Sequence, residues 1–243
     1  MDMKKFIFAL MCVATLASCS LWDAVKYSSE ISEGTIDNYD KYPGMNVSEL
    51  PLTGIPYVWP AATFHLEGLA MGEQNQSREE DQDEDMKVTD DMFGSGLFVI
   101  VTLDIKNLTD QRQVLELPRG LLLQSTSSSY QNGILVKKVQ IPFKANEERK
   151  VSIRFYCLNA SLHGSDSGSE YNQLSLVTNV AAFEPLFNVC EEKKINIDEY
   201  KTISILSYYG AATTVQEIVW AITKGKIFTE KEIKKYLKHV KKA

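Results

Sequence analysis

Arg149-Lys150-Val151-Ser152-Ile153-Arg154-Phe155-Tyr156-Cys157 is the stretch that decides the fold class. Val151, Ile153, Phe155 and Cys157 share one face and Ser152, Arg154 and Tyr156 the other. That period of two is the mark of a strand with one face in a core. Upstream, Thr63–Met71, Gly96–Lys106, Gln113–Pro118, Leu121–Gln124 and Ile134–Ile141 also read as strands. Turn residues separate them at Asn107–Asp110, Arg119-Gly120, Gln131-Asn132-Gly133 and Asn146-Glu147. Short strands at this spacing predict an antiparallel, Ig-like β-sandwich over 62–158. The segment 72–92 interrupts it. From Glu73 to Asp91 nine acidic residues stand against Arg78 and Lys87. Such a segment has too little apolar surface to offset ordering and reads as an acidic loop.

Beyond Cys157 the period lengthens. His163–Glu170 is a polar loop. Leu174, Leu176, Val177, Val180, Ala181, Phe183, Leu186, Phe187 and Val189 predict a mostly helical run over Asn172–Cys190, with Pro185 as a break or restart. Val215, Ile218, Val219 and Ile222 form the stripe of a helix over Thr213–Thr223, closed by Lys224-Gly225. Ile233, Tyr236, Leu237 and Val240 mark a third helix from Thr229, with Thr229 and Glu232 as its capping box. The expected whole is mainly β with about three helices, the helical segment spanning 159–243.

The N-terminus carries an address. Lys4-Lys5 precede an apolar run from Phe6 to Leu16, and small residues follow. A basic head, a short apolar core and small residues before a cut site make a signal peptide over 1–18. The run is too short to span a bilayer, which takes roughly 20 apolar residues. Leu16-Ala17-Ser18-Cys19 resembles the lipobox of bacterial lipoproteins. The resemblance implies cleavage before Cys19 and a lipid on its sulfur, with 19–61 as a tether and entry segment. Ser20 after the cysteine resembles the outer-membrane sorting choice of Gram-negative bacteria. Acyl chains add about 0.8 kcal/mol per buried CH₂, so two or three would hold the protein firmly.

The chain has 243 residues and a formal net charge of −6. Overall acidity and a secreted address argue against nucleic acid as a partner. The exception is the C-terminus, where eight lysines stand against Glu230 and Glu232 between Lys224 and Ala243. That basic helix could touch anionic headgroups or an acidic partner, but its lysines read best as a solvated face. Outside the signal region two cysteines remain, Cys157 and Cys190. In an oxidising compartment an even pair invites a disulfide, which spacing alone does not decide.

One pair of segments carries a chemical suggestion. Tyr156-Cys157-Leu158-Asn159 and Val215-Gln216-Glu217-Ile218-Val219-Trp220-Ala221 resemble the two halves of bacterial surface thioester domains. The resemblance implies a bond between the Cys157 sulfur and the Gln216 side-chain carbonyl, open to attack by amines. Gln216 and Trp220 lie four residues apart and share a helical face. Val215 and Ile218 depart from the Thr and Ala of the family. Thr213 and Gln216 also have capping-box spacing, which is the bland reading of the glutamine.

Other chemistry falls short. Asp81, Asp83 and Asp85 have the spacing of an EF-hand's first ligands, but Met86 and Met92 stand where Gly and Glu belong. Gly164-Ser165-Asp166-Ser167-Gly168 has Asp where a nucleophile elbow needs Ser. Three histidines without ligand spacing make no zinc site. No catalytic residue, metal or cofactor is expected. The function classes are, in order, a non-catalytic envelope module binding an envelope or host protein or glycan, a structural or assembly lipoprotein, and a covalent adhesin with a Cys157–Gln216 thioester.

Overall fold

In the computed structural model, residues 54–73, 87–172, 174 and 176–243 are described. The signal peptide, Cys19, most of the tether and the three aspartates at 81, 83 and 85 lie outside them. The strands are β1 Gly54–Pro56, β2 Phe64–Gly72, β3 Met92–Gly94, β4 Val99–Asn107, β5 Gln113–Leu117, β6 Leu121–Leu123, β7 Gly133–Ile134, β8 Val139–Phe143, β9 Glu148–Cys157, β10 Glu170–Tyr171 and β11 Leu176–Thr178. The helices are α1 Glu184–Glu191, α2 Ile205–Thr223 and α3 Glu230–Tyr236, with 3₁₀ turns at Ala181–Phe183, Ile197–Tyr200 and Leu237–His239. The chain is therefore mainly antiparallel β with three helices in its C-terminal part.

β9 is the spine. On one edge β4 pairs with it antiparallel, from Lys106↔Glu148 to Val99↔Phe155. On the other, β3 runs parallel to Ser152–Arg154 and β7 antiparallel to Tyr156 and Cys157. The nine-stranded sheet runs β1-β11-β6-β7-β9-β4-β2-β10, with β3 beside β9. It reaches beyond the expected 62–158 span, since β1, β10 and β11 belong to it. The expected strand 134–141 is split into β7 and β8, and β8 leaves to form a second, two-stranded sheet with β5.

Two cores lie on the two faces of the large sheet. Leu115, Leu117, Val139, Ile141 and Phe143 of the small sheet share one core with Val101, Leu103, Ile105, Val151, Ile153 and Cys157. The helices cover the other face, packing on Leu122, Ile134, Tyr156, Leu158 and Leu176. That cover corrects the half-buried reading of β9. Arg154 and Tyr156 are both buried, at 4 % and 0 % exposure, although their face looked solvent-facing.

Three helical expectations shift. The 172–190 run is not mostly helical: Leu176–Thr178 is strand β11, between β1 and β6, and only Glu184–Glu191 is α-helix. Pro185 opens α1 in its first turn, where its missing N–H costs nothing. α2 begins at Ile205, about two turns before Thr213, so Thr213 and Gln216 are interior and form no N-terminal box. It is buried nearly all round, as a helix packed between layers must be. Gly225 ends it at φ +87°, with the Gly225 and Lys226 N–H groups donating to Ile222 and Ala221 carbonyls. The Thr229–Glu232 capping box of α3 is formed on both sides. Lys137 pins the layers together, its Nζ donating to Lys193 C=O and Glu199 Oε1, each at 2.8 Å. Among the described residues no helix is long and apolar enough to cross a membrane.

Candidate functional site

The end of β9 brings the sequence-predicted pair together. N–H and C=O of one strand residue point to the same edge, and successive residues alternate edges. Leu158 N–H donates to Asn132 C=O at 3.0 Å, so the Cys157 groups face the opposite edge, the one β4 occupies. But β4 starts at Val99, opposite Phe155, and its register stops two residues short of Cys157. Gln216 fills the gap. Its Oε1 accepts from Cys157 N–H at 2.8 Å, and its Nε2 donates to Cys157 C=O at 2.8 Å. A side-chain amide from α2, 59 residues downstream, thus completes the ladder as a strand would.

Cys157 and Gln216 are 0 % and 1 % exposed. The Cys157 side chain belongs to the core that also holds Ala160, Tyr171, Leu174 and Trp220. Trp220 stacks on Phe98 at 5.9 Å between ring centroids. Gln216 and Trp220 therefore straddle the strand end from one helical face, as their spacing predicts. Burial holds the Tyr171 phenol well above its usual range. Burial also lifts Glu217, the neighbour of Gln216, to about 7, and its Oε1 has no hydrogen-bond partner.

Further buried amides brace the same corner. Asn132 N–H donates to Asn159 Oδ1, and Asn132 Oδ1 accepts from Ser125 N–H, both at 2.9 Å. Gln131 Nε2 donates to Leu162 C=O at 2.7 Å. Fully enclosed carboxamides of this kind rigidify a core only when they are bonded. They hold the 125–133 and 158–163 loops on either side of Cys157. Sequence reading missed them: Gln131-Asn132 looked like turn punctuation, and no periodicity marks a loop amide as buried.

The disulfide option does not form. Neither cysteine is in a disulfide, and both are buried. Cys157 lies in the core under the small sheet and Cys190 in the core under the helices, on opposite faces of the large sheet. Burial raises the Cys190 thiol far above its usual range, so it stays protonated. Ser165 is structural: its Oγ donates to Glu73 C=O at 2.7 Å and accepts from Ile100 N–H at 2.8 Å. Among the described residues no group of three or more His, Cys, Asp or Glu gathers as a metal site would need.

No family model, curated protein or solved structure matches this chain. The likeness to thioester domains rests on the residues themselves.

Proposed function

We propose that the protein is a lipid-anchored adhesion module of the bacterial cell envelope, and that Cys157 and Gln216 supply its reactive bond. The observation that supports this is the docking of the Gln216 carboxamide along Cys157, inside a dry corner. With both amide ends bonded to the backbone of one residue, the carboxamide is held along the strand at the residue that carries the thiol. The sulfur attacks Gln216 Cδ, the S–C bond forms, the C–N bond breaks, and ammonia leaves carrying the thiol proton. A primary amine on a target then attacks the thioester. An amide forms on Gln216 and Cys157 regains its thiol. Each molecule reacts once, which is attachment and not turnover. The anchor on Cys19 and a place in the outer membrane complete the reading, with an envelope or host surface bearing amines as the partner.

A non-covalent adhesion or assembly lipoprotein is the second reading. It is favoured by the same two hydrogen bonds, since they engage both ends of the carboxamide and give Gln216 a structural task, and by Val215 and Ile218. Accurate mass separates the two. The thioester lowers the mass by about 17 Da, one ammonia, and methylamine then adds to the protein and frees one thiol. An unshifted mass with no methylamine adduct leaves the non-covalent reading. Fractionation of cells making Cys19→Ala tests the anchor: release from or stalling at the membrane is expected, and unchanged tight association contradicts it.

A further inference from the structure

α3 and the turn that follows it present one sign of charge outward. Between Lys224 and Ala243 stand eight lysines and two glutamates, in a chain whose formal net charge is −6. Ile233, Leu237 and Val240 are buried and lay the segment on the helical core. Lys231, Lys235 and Lys238 follow one another at i, i+4 and i+7, opposite that buried stripe, and all three are exposed. Among the described residues Lys234 is the α3 lysine held in an ion pair, with Glu230 at 3.1 Å. Both glutamates are already engaged. Glu230 accepts from Asn188 Nδ2 and Lys234 Nζ at 3.1 Å each, and Glu232 accepts from the Thr229 N–H and hydroxyl at 2.8 Å each.

The turn that leads into α3 adds an apolar tip. Phe228 points inward at 4 % exposure, and its ring meets Tyr236 edge-on at 6.1 Å, which holds the turn against α3. Lys226 Nζ lies 4.6 Å from the centroid of the same ring. Ile227, between them, is 80 % exposed, with Lys224 and Lys226 before it and Lys231 four residues after. A lone exposed aliphatic residue is ordinary, and so is a lysine-bearing helix face. An aliphatic tip set beside a cationic face with no carboxylate to spare is a different surface. Its basic groups are lysines and no arginine. Protein interfaces favour arginine and aromatic anchors in shaped pockets and are poor in lysine. A bilayer needs no fixed geometry: lysines gain from anionic headgroups, and an aliphatic tip enters the acyl boundary.

We propose that α3 and the turn before it dock on a bilayer that bears anionic phospholipid headgroups, with Ile227 in the acyl boundary and Lys231, Lys235 and Lys238 against the headgroups. The rest of the chain is acidic and is repelled by the same headgroups, so docking turns this end of the molecule toward the bilayer. The contact depends neither on a lipid at Cys19 nor on the thioester.

The test is co-sedimentation of the mature chain, made without lipid on Cys19, with vesicles of phosphatidylcholine or of phosphatidylcholine mixed with phosphatidylglycerol. Sedimentation with the phosphatidylglycerol vesicles is expected, with little on phosphatidylcholine and a loss as salt rises. Lys231→Glu together with Lys235→Glu should lower the partition by about tenfold or more. Ile227→Asp should lower it several-fold. Val58→Asp, at another apolar position of like exposure (82 %), should leave it unchanged. All four positions are exposed, and an unchanged urea midpoint in each variant shows the fold intact. Absence of sedimentation would leave this face to solvent or to an acidic protein and would overturn the proposal. Equal sedimentation with both vesicles, an Ile227→Asp chain that partitions as the unaltered one does, or an equal loss in Val58→Asp would overturn it as well.

Discussion

Gln216 does the work of a backbone. In the unreacted protein, removing its amide strands the Cys157 N–H and C=O in a corner enclosed from solvent. Each orphaned buried group costs about 1–3 kcal/mol. Gln216→Ala should therefore lower stability by about 2–6 kcal/mol in urea unfolding. Gln216→Glu should be no rescue, because it sets an oxygen against the Cys157 carbonyl. A loss under 1 kcal/mol for Gln216→Ala would mean that the corner admits water. Glu217, one residue on, has the opposite character. Burial raises its folded pKa to about 7 from an ordinary value of 4.5. The folded state therefore holds a proton that the unfolded chain has released. Stability from this group is full below about pH 4.5, falls as pH rises toward 7, and levels off above that. The slope is at most about 1.4 kcal/mol per pH unit. Asp198, raised to about 6 by burial, adds a slope of the same sign at lower pH. Urea unfolding between pH 4.5 and 7.5 should show the fall, and Glu217→Gln should flatten its upper part. An unchanged slope in that variant would assign the fall to other groups.

Element boundaries follow from contacts that local pattern does not carry. The alternation of β9 was legible because one of its faces is wholly apolar. Its second buried face was not, since Ser152, Arg154 and Tyr156 read as polar until the helices are laid over them. The Leu174–Val189 run shows the limit more sharply. Its apolar residues suit a helix stripe or a short strand equally well, and β11 is decided by pairing with β1 and β6, distant in sequence. Of the candidate site, the four-residue Gln216–Trp220 spacing was legible and the ladder it completes was not. The gap exists only because β4 stops at Val99. Glycines at two strand junctions separate steric from conformational demand. Gly96 has φ +130°, and a Cβ there would lie 2.0 Å from Phe155 C=O on β9. Gly68 has φ +68° at the β2 register shift, with nothing within 4 Å of an added Cβ. Gly68→Ala should cost about 1 kcal/mol in strain alone. Gly96→Ala must also push β9 away from the β3–β4 corner and should cost about 3 kcal/mol or more. Equal costs in urea unfolding would contradict this division.

At the scale of the molecule, one sheet carries two cores, and the ties that cross between its layers include Gln216 to Cys157, Tyr208 to Gly96, and Lys137 to Glu199. All three are buried or partly buried, and each leaves a polar group stranded when its layer lifts. The helices also have no second apolar surface to fall back on, because α2 is enclosed nearly all round. A helical layer that detached would expose both its own apolar surface and the Ile134, Tyr156 and Leu158 face of the sheet. At about 25 cal/mol per Å² of apolar surface, such an intermediate is disfavoured by many kcal/mol. The two cores should therefore unfold together. Cys190 reports on the helical core, since its thiol is buried there and alkylates only when that core opens. Trp59 packs against the other core, and in a Trp220→Phe variant, which removes the indole carried by α2, its fluorescence reports on that core. Across a urea series, Cys190 alkylation and tryptophan fluorescence should share one midpoint and one slope, the signature of a two-state transition. Alkylation of Cys190 at urea concentrations that leave the fluorescence native would show the helical layer opening alone, and the three ties would then be too weak to couple the faces of the sheet.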